Sequence, residues 1–211
     1  MKYTIIEDCS PYYIRFTYTG IESVLEQCTS EHYDYQKMVD EQPSTYLDKK
    51  GHKYFVHHKL DQPNGQKLLE HVPMCDVLDI DDARVSLFIS APHCVYRPHK
   101  DGLAVRCGIN YTVQINDDKC VTSWYDDKDL SIYPIDTVGG RSREAKGFVR
   151  GVHTPLKSMV AKQGECILFN TEIFHDWDNS QSSNMRVVLT LRFKDPHKIY
   201  FADAKRTLFG I

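Results

Sequence analysis

Apolar and polar residues alternate along much of the second half of the chain, which is the pattern of half-buried β-strands. Many of the apolar positions are β-branched or aromatic, as strands prefer. Turn sequences such as Asn116-Asp117-Asp118 and Gln163-Gly164-Glu165 separate the alternating segments. The pattern predicts the strands Arg84–Ile89, Val95–His99, Cys107–Ile115, Cys120–Tyr125, Ser158–Ala161, Cys166–Asn170 and Arg186–Phe193.

The first part of the chain has a mixed pattern. Tyr12–Tyr18 alternates and predicts a strand, whereas apolar spacing from Gly20 to about Asp40 predicts one amphipathic helix, with a break near Thr29-Ser30 as the alternative. Asp48-Lys49-Lys50-Gly51 predicts the turn of a hairpin, and a short helix is expected near Gln66–His71. A mainly β (α+β) fold follows, in which a barrel or sandwich carries one or two helices on its outside.

Length, charge and cysteine content narrow the class of protein. The 211 residues suit one domain, and the 41% apolar content is enough for a core. A net charge of −3 and a pI near 6.3 argue against duplex DNA or anionic membranes as partners. The seven cysteines form no C-x-x-C pair, which argues against a disulfide framework and a cysteine metal site. Met1–Asp8 lacks the apolar stretch of a signal peptide, so a reducing, cytoplasmic setting is expected.

A histidine and an aspartate two residues apart end the predicted strand Val95–His99. Side chains at i and i+2 of a strand lie on the same face, so His99 and Asp101 are expected to project together if the strand continues to Asp101. The same spacing occurs at His32-Tyr33-Asp34, but there the predicted helix would separate the two side chains. His175 follows far downstream and is read either as a solvated loop histidine or as a third ligand.

The apolar strand that opens at Arg186 carries polar side chains on one face. Arg186, Val188, Thr190 and Arg192 share that face by alternation. One interpretation is a solvent-exposed outer face. The other is a basic barrel interior that binds a carboxylate, and this strand alone does not separate them.

Together, His99, Asp101, His175 and Arg186 indicate a particular chemistry. Two histidines and one carboxylate are the ligand set of non-haem Fe(II) oxygenases, and an arginine fork suits a dicarboxylate co-substrate. Their order resembles that of the 2-oxoglutarate/Fe(II)-dependent dioxygenase superfamily, above all its prolyl-hydroxylase-like branch, in which a tyrosine also stands three residues before the first histidine. The likeness covers about Arg84 to Phe193. The layout is also similar to small oxygenases encoded by bacteriophages.

The resemblance implies a double-stranded β-helix that uses Fe(II), 2-oxoglutarate and O2. It implies a single oxygenase domain over 1–211, with a support region (1–82), a barrel core (83–195) and a C-terminal tail (196–211). By residue, it implies iron ligands at His99, Asp101 and His175, and Arg186 as the partner of the distal carboxylate of 2-oxoglutarate. Thr190, Asn110 or Tyr111 would add a hydrogen bond there, and strand parity leaves the choice among them open. Tyr96 would line the pocket, and Arg192 would assist co-substrate binding. Arg192 resembles a second arginine of the nucleic-acid demethylase branch.

The implied reaction hydroxylates a primary substrate and releases succinate and CO2. An amino acid, a peptide side chain and a small metabolite all remain open as substrates, and the sequence sets no oligomeric state. Two alternatives are a metal-binding cupin of another class, such as an isomerase or epimerase without a buried Arg186, and a non-catalytic barrel that acts as a binding module. The basic stretch Gly139–Arg150 is either a solvated insertion or a lid that meets an anionic substrate.

Overall fold

The computed structural model describes residues 3–28, 33–41, 55–60, 62–70, 72, 74, 77–101, 105–115, 117–126, 133–134, 146–147 and 154–211. Its strands are β1 (Tyr3–Cys9), β2 (Tyr13–Tyr18), β3 (Phe55–Lys59), β4 (Ser86–Ser90), β5 (Val95–His99), β6 (Cys107–Gln114), β7 (Val121–Tyr125), β8 (Tyr133–Pro134), β9 (Lys146–Gly147), β10 (Lys157–Val160), β11 (Cys166–Asn170), β12 (Phe174–Asp178) and β13 (Arg186–Leu191). Its helices are α1 (Ile21–Gln27), α2 (Tyr35–Glu41), α3 (Gln62–Leu69) and α4 (Phe201–Phe209).

The strands form two facing antiparallel sheets. The larger sheet has the order β1-β2-β11-β6-β13-β4-β3, and the smaller has the order β10-β7-β12-β5-β9-β8. From β4 to β7 and again from β11 to β13, successive strands alternate between the two sheets. This winding is that of a jelly roll, or double-stranded β-helix, and confirms the expected fold class.

Each strand predicted from the sequence is present, with ends shifted by up to two residues. The helical prediction over Gly20 to Asp40 corresponds to α1 and α2, and the alternative break near Thr29-Ser30 falls within residues 29–32, outside the described part. Strand β12 was not predicted, because its polar residues resemble a loop. Helix α4 lies in the segment that the resemblance implied to be a tail. The division of the chain into support, core and tail stays a prediction.

Alternation places the main apolar core on the outer face of the larger sheet. Val187, Leu189 and Leu191 of β13 point there and pack in one cluster with residues from the helices, including Val24 of α1 and Phe201 of α4. The expectation of N-terminal helices outside the barrel is confirmed, and α4 joins them. The opposite side of β13 therefore faces the space between the sheets.

Some predicted features fall outside the described residues. The hairpin turn Asp48–Gly51 is one of them, and of the basic stretch Gly139–Arg150 only Lys146 and Gly147 are described. Those two residues form β9, and Gly147 pairs with His99 at the end of β5. Within the described part of the chain, no helix is long and apolar enough to span a membrane.

Candidate functional site

A cavity of about 280 Å³ opens between the two sheets and contains most of the residues singled out from the sequence. Strands β5 and β12 of the smaller sheet form one wall, and β6 and β13 of the larger sheet face them. The predicted residues that line it are His99, Asp101, His175, Arg186, Thr190, Asn110, Tyr96 and Arg192.

His99, Asp101 and His175 come together at one end of this cavity. Strands β12 and β5 are hydrogen-bonded neighbours, and His175 pairs directly with His99. The Nε2 atoms of His99 and His175 lie 3.3 and 3.9 Å from Oδ1 of Asp101. One ligand atom from each of the three side chains falls within 4.8 Å of the others, so the group could hold a metal ion. The structure thus provides a two-histidine, one-carboxylate arrangement.

His175 is oriented for ligation through Nε2. Its Nδ1 lies 2.9 Å from the carbonyl oxygen of Ile173. A carbonyl can only accept, so Nδ1 carries the proton and Nε2 keeps its lone pair. Burial, reinforced by the neighbouring His99, lowers the pKa of His175 to about 4. The imidazole is therefore neutral near pH 7, as metal binding requires.

Asp101 is held as a carboxylate. Burial by itself raises the pKa of Asp101, but the hydrogen bond from His99 and the charge of Arg192 outweigh burial, so that the pKa lies below its usual range. Nη2 of Arg192 lies 3.4 Å from Oδ2, while Oδ1 faces the two histidines. One oxygen of Asp101 is thus directed to the metal position and the other to a cation.

Arg186 is buried in the cavity wall. The residue is 6% exposed, and its Nε is buried without a hydrogen-bond partner. Among the described residues, no carboxylate lies within ion-pair distance of its guanidinium. An unpaired buried charge costs several kcal/mol. A carboxylate ligand in the cavity would remove this cost, which is the fit expected of a dicarboxylate co-substrate.

Arg192 lies across the same wall near the metal position. Its guanidinium passes over the ring of Phe169 at 5.6 Å and leaves Nη1 buried without a hydrogen-bond partner in the described structure. Gly108, on the neighbouring strand β6, makes room for it: a Cβ there would lie 1.9 Å from Nη1. Gly108 therefore leaves the space that the guanidinium of Arg192 occupies, and a side chain at this position would displace it.

Between Arg186 and the metal ligands, the wall carries a hydrogen-bonded pair. Oγ1 of Thr190 donates to Oδ1 of Asn110 at 2.9 Å. This bond uses the amide oxygen of Asn110 and leaves its NH2 group as the donor available to a ligand. Tyr96 lies on the opposite wall, with its ring 4.6 Å from that of His99.

Tyr111 is the exception among the predicted residues. Its neighbour Asn110 lines the cavity, so alternation turns Tyr111 to the outer face of the larger sheet. There its hydroxyl donates to the carbonyl oxygen of Ile21 at 3.0 Å. The side chain does not line the cavity, and we correct the expectation by leaving Tyr111 out of the proposed site.

Several wall residues were missed by the sequence reasoning. Asp176 is fully buried and accepts a hydrogen bond from the hydroxyl of Tyr125 at 2.8 Å. Trp124 pairs with His175 across β7 and β12, and Trp177 stacks on Tyr96 with ring centroids 6.0 Å apart. Recognition of β12 as a strand would have placed His175 and Trp177 on one face. No sequence signal identifies the role of Gly108.

The other H-x-D triplet has a local role where it is described. Oδ1 of Asp34 accepts a hydrogen bond from the backbone N–H of Lys37, as an N-cap residue of α2 does. His32 lies outside the described residues.

No protein-family model and no curated protein matches the sequence. The fold is similar to solved structures of low identity. SnoN, a non-haem alpha-ketoglutarate-dependent epimerase from nogalamycin biosynthesis, is 10% identical, with 90% of this chain and 83% of that chain covered and a TM-score of 0.49. A prolyl-4-hydroxylase of Pseudomonas putida is 11% identical, with coverage of 86% and 91% and a TM-score of 0.46. AviO1 of Streptomyces viridochromogenes is 13% identical, with coverage of 85% and 88% and a TM-score of 0.49. All three TM-scores lie below 0.5, and the function proposed below rests on the residues of this chain.

Proposed function

We propose that the protein is an Fe(II)- and 2-oxoglutarate-dependent dioxygenase that hydroxylates an amino acid, a peptide side chain or a small metabolite and releases succinate and CO2. One observation carries the proposal. The buried guanidinium of Arg186 has no protein counter-ion among the described residues, and it lines the same cavity as the His99, Asp101 and His175 group.

In this proposal, His99, Asp101 and His175 hold the iron. Bound Fe(II), with 2-oxoglutarate and O2, supplies the oxidising chemistry. Two neutral imidazoles and one carboxylate neutralise only part of the metal charge and leave positions open for the co-substrate. The remaining residues of the cavity bind and orient the co-substrate and the primary substrate, and they exclude water.

Arg186 has the geometry to select the co-substrate. Its planar fork can make two parallel charge-assisted bonds to the distal carboxylate. The Asn110 amide, fixed by Thr190, presents a donor on the same wall. The positive charge of Arg192 helps to keep the Asp101 carboxylate ionised. Apolar neighbours such as Phe169 exclude water, which strengthens each of these contacts.

The same geometry weighs against the two alternatives. An isomerase or epimerase of the cupin class was expected to lack a buried Arg186, and here Arg186 lines the cavity. A non-catalytic barrel would be favoured by a His175 that lies far from His99, yet their ring centroids are 4.6 Å apart. Both observations support the dioxygenase over its competitors.

The test separates binding from turnover. Protein loaded with Mn(II), which does not support the oxidation, is titrated with 2-oxoglutarate by calorimetry, and one site per chain is expected. Fe(II)-loaded protein in air should then form succinate slowly without a primary substrate. An Asp101→Ala variant serves as the control that lacks a metal ligand. Metal-loaded protein that fails to bind millimolar 2-oxoglutarate would rule out the proposal.

A further inference from the structure

The short turn Thr171-Glu172-Ile173, between β11 and β12, contacts two of the three proposed metal ligands. The carbonyl oxygen of Thr171 accepts from the backbone N–H of Asp101 at 3.4 Å. The carbonyl oxygen of Ile173 lies 2.9 Å from Nδ1 of His175. This turn therefore contacts the backbone of Asp101 and the ring of His175.

Arg106 holds the turn from the side of β6. Its carbonyl oxygen accepts from the N–H of Thr171 at 3.1 Å, and its Nη1 forms an ion pair with Oε1 of Glu172. The hydroxyl of Thr171 donates to the carbonyl oxygen of Val105 at 2.6 Å. The turn is thus bound to 105–106 through its backbone and through two side chains.

Arg106 is itself fixed by the segment that precedes α4. Its N–H donates to the carbonyl oxygen of Pro196 at 3.2 Å, and its Nε donates to that of His197 at 2.6 Å. The guanidinium also lies 4.5 Å from the ring centroid of Tyr200. The C-terminal segment therefore supports the Arg106 side chain in addition to the turn.

We propose that Arg106 and Glu172 are positioning residues for the metal centre, acting through the turn on Asp101 and His175; this inference rests on the metal site of the proposed function. The ion pair is partly exposed, with side-chain exposures of 22% and 36%. Such a pair contributes little to folding stability. Groups that orient metal ligands, in contrast, change metal affinity strongly when they are lost. Loss of the pair should therefore reduce metal affinity more than it reduces stability.

The experiment measures the affinity of the full-length protein for Mn(II) by the spin-resonance signal of the free ion. Arg106→Met and Glu172→Gln should each weaken Mn(II) binding about 10-fold. Arg106→Lys should recover part of the loss, because it keeps a cation beside Glu172. The matched control is Lys37→Met, which breaks the exposed Lys37–Glu41 pair of α2 and should leave Mn(II) affinity unchanged.

A second readout follows the orientation of His175 directly. In metal-free protein, the Nδ1 proton should exchange slowly with solvent because it is bonded to the carbonyl of Ile173, and Glu172→Gln should make that exchange faster. A purely structural role would lower the melting temperature while leaving both Mn(II) affinity and proton exchange unchanged.

Mn(II) affinities within about twofold of wild type for both folded variants would overturn the inference. If Arg106→Met does not fold, Glu172→Gln decides, because it leaves the contacts of Arg106 with the C-terminal segment in place. Failure of the proposed function gives a different result: wild-type protein would not bind Mn(II), or His99→Ala would bind it equally well. In that case the metal site and this inference both fail.

Discussion

Replacement of Arg186 by methionine should change stability and ligand affinity in opposite directions. Methionine has a similar length but no charge. Since Arg186 is 6% exposed and its Nε has no hydrogen-bond partner among the described residues, the folded protein without ligand keeps a largely buried cation in place. Substitution of buried ions by apolar residues often stabilises a protein by about 1–4 kcal/mol, and we expect a gain in that range.

The same substitution should remove most of the affinity for 2-oxoglutarate. Truncation of one partner of a buried charge pair costs about 2–5 kcal/mol. At about 1.4 kcal/mol for each tenfold change, this corresponds to a loss of roughly 30-fold to several thousand-fold.

Urea unfolding of the ligand-free protein measures the first effect, and calorimetric titration of the Mn(II)-loaded protein with 2-oxoglutarate measures the second. Arg186→Lys is the control: it keeps the charge, so no gain in stability is expected, but it lacks the fork and should bind with intermediate affinity. If Arg186→Met destabilised the ligand-free protein, the guanidinium would have to find its hydrogen-bond and charge partners within the protein itself. If it left 2-oxoglutarate affinity intact, the cavity would not bind a carboxylate at Arg186.

Further substitutions test the rest of the cavity. Gly108→Ala should cost about 1–3 kcal/mol of unfolding free energy, because its Cβ would lie 1.9 Å from Nη1 of Arg192. The cost should vanish in an Arg192→Met background, and equal costs in both backgrounds in a urea double-mutant cycle would contradict the steric account. Thr190→Val should weaken 2-oxoglutarate binding about 2- to 10-fold, because Asn110 loses the hydroxyl that orients it; calorimetry should show Thr190→Ser near wild type. Tyr111→Phe should lower the unfolding free energy by about 0.5–1.5 kcal/mol, and a change in 2-oxoglutarate affinity would speak against its placement outside the cavity.

The features that could be predicted from the sequence follow from the local periodicity of β-strands. A strand has a period of two, so the spacing of His99 and Asp101 and the face shared by Arg186, Thr190 and Arg192 followed from alternation alone. The face shared by Arg186, Thr190 and Arg192 is confirmed by the residues that line the cavity. His99 and Asp101 line it together as well, although β5 ends at His99 and Asp101 lies just beyond the strand. Alternation could not say whether that face of β13 points to solvent or to the barrel interior, because both faces of the strand carry apolar residues.

The tertiary structure decided how distant segments meet. His175 reaches His99 because β12 and β5 are neighbours in the smaller sheet, a pairing between residues far apart in sequence. The choice between Asn110 and Tyr111 depended on the strand parity of β6, and the space for Arg192 depended on Gly108 of an adjacent strand. The sequence by itself thus determined which residue types were available for iron and a dicarboxylate. Only the winding of the two sheets decided which of them share a cavity, because long-range strand pairing is set by the whole core and leaves no local signal.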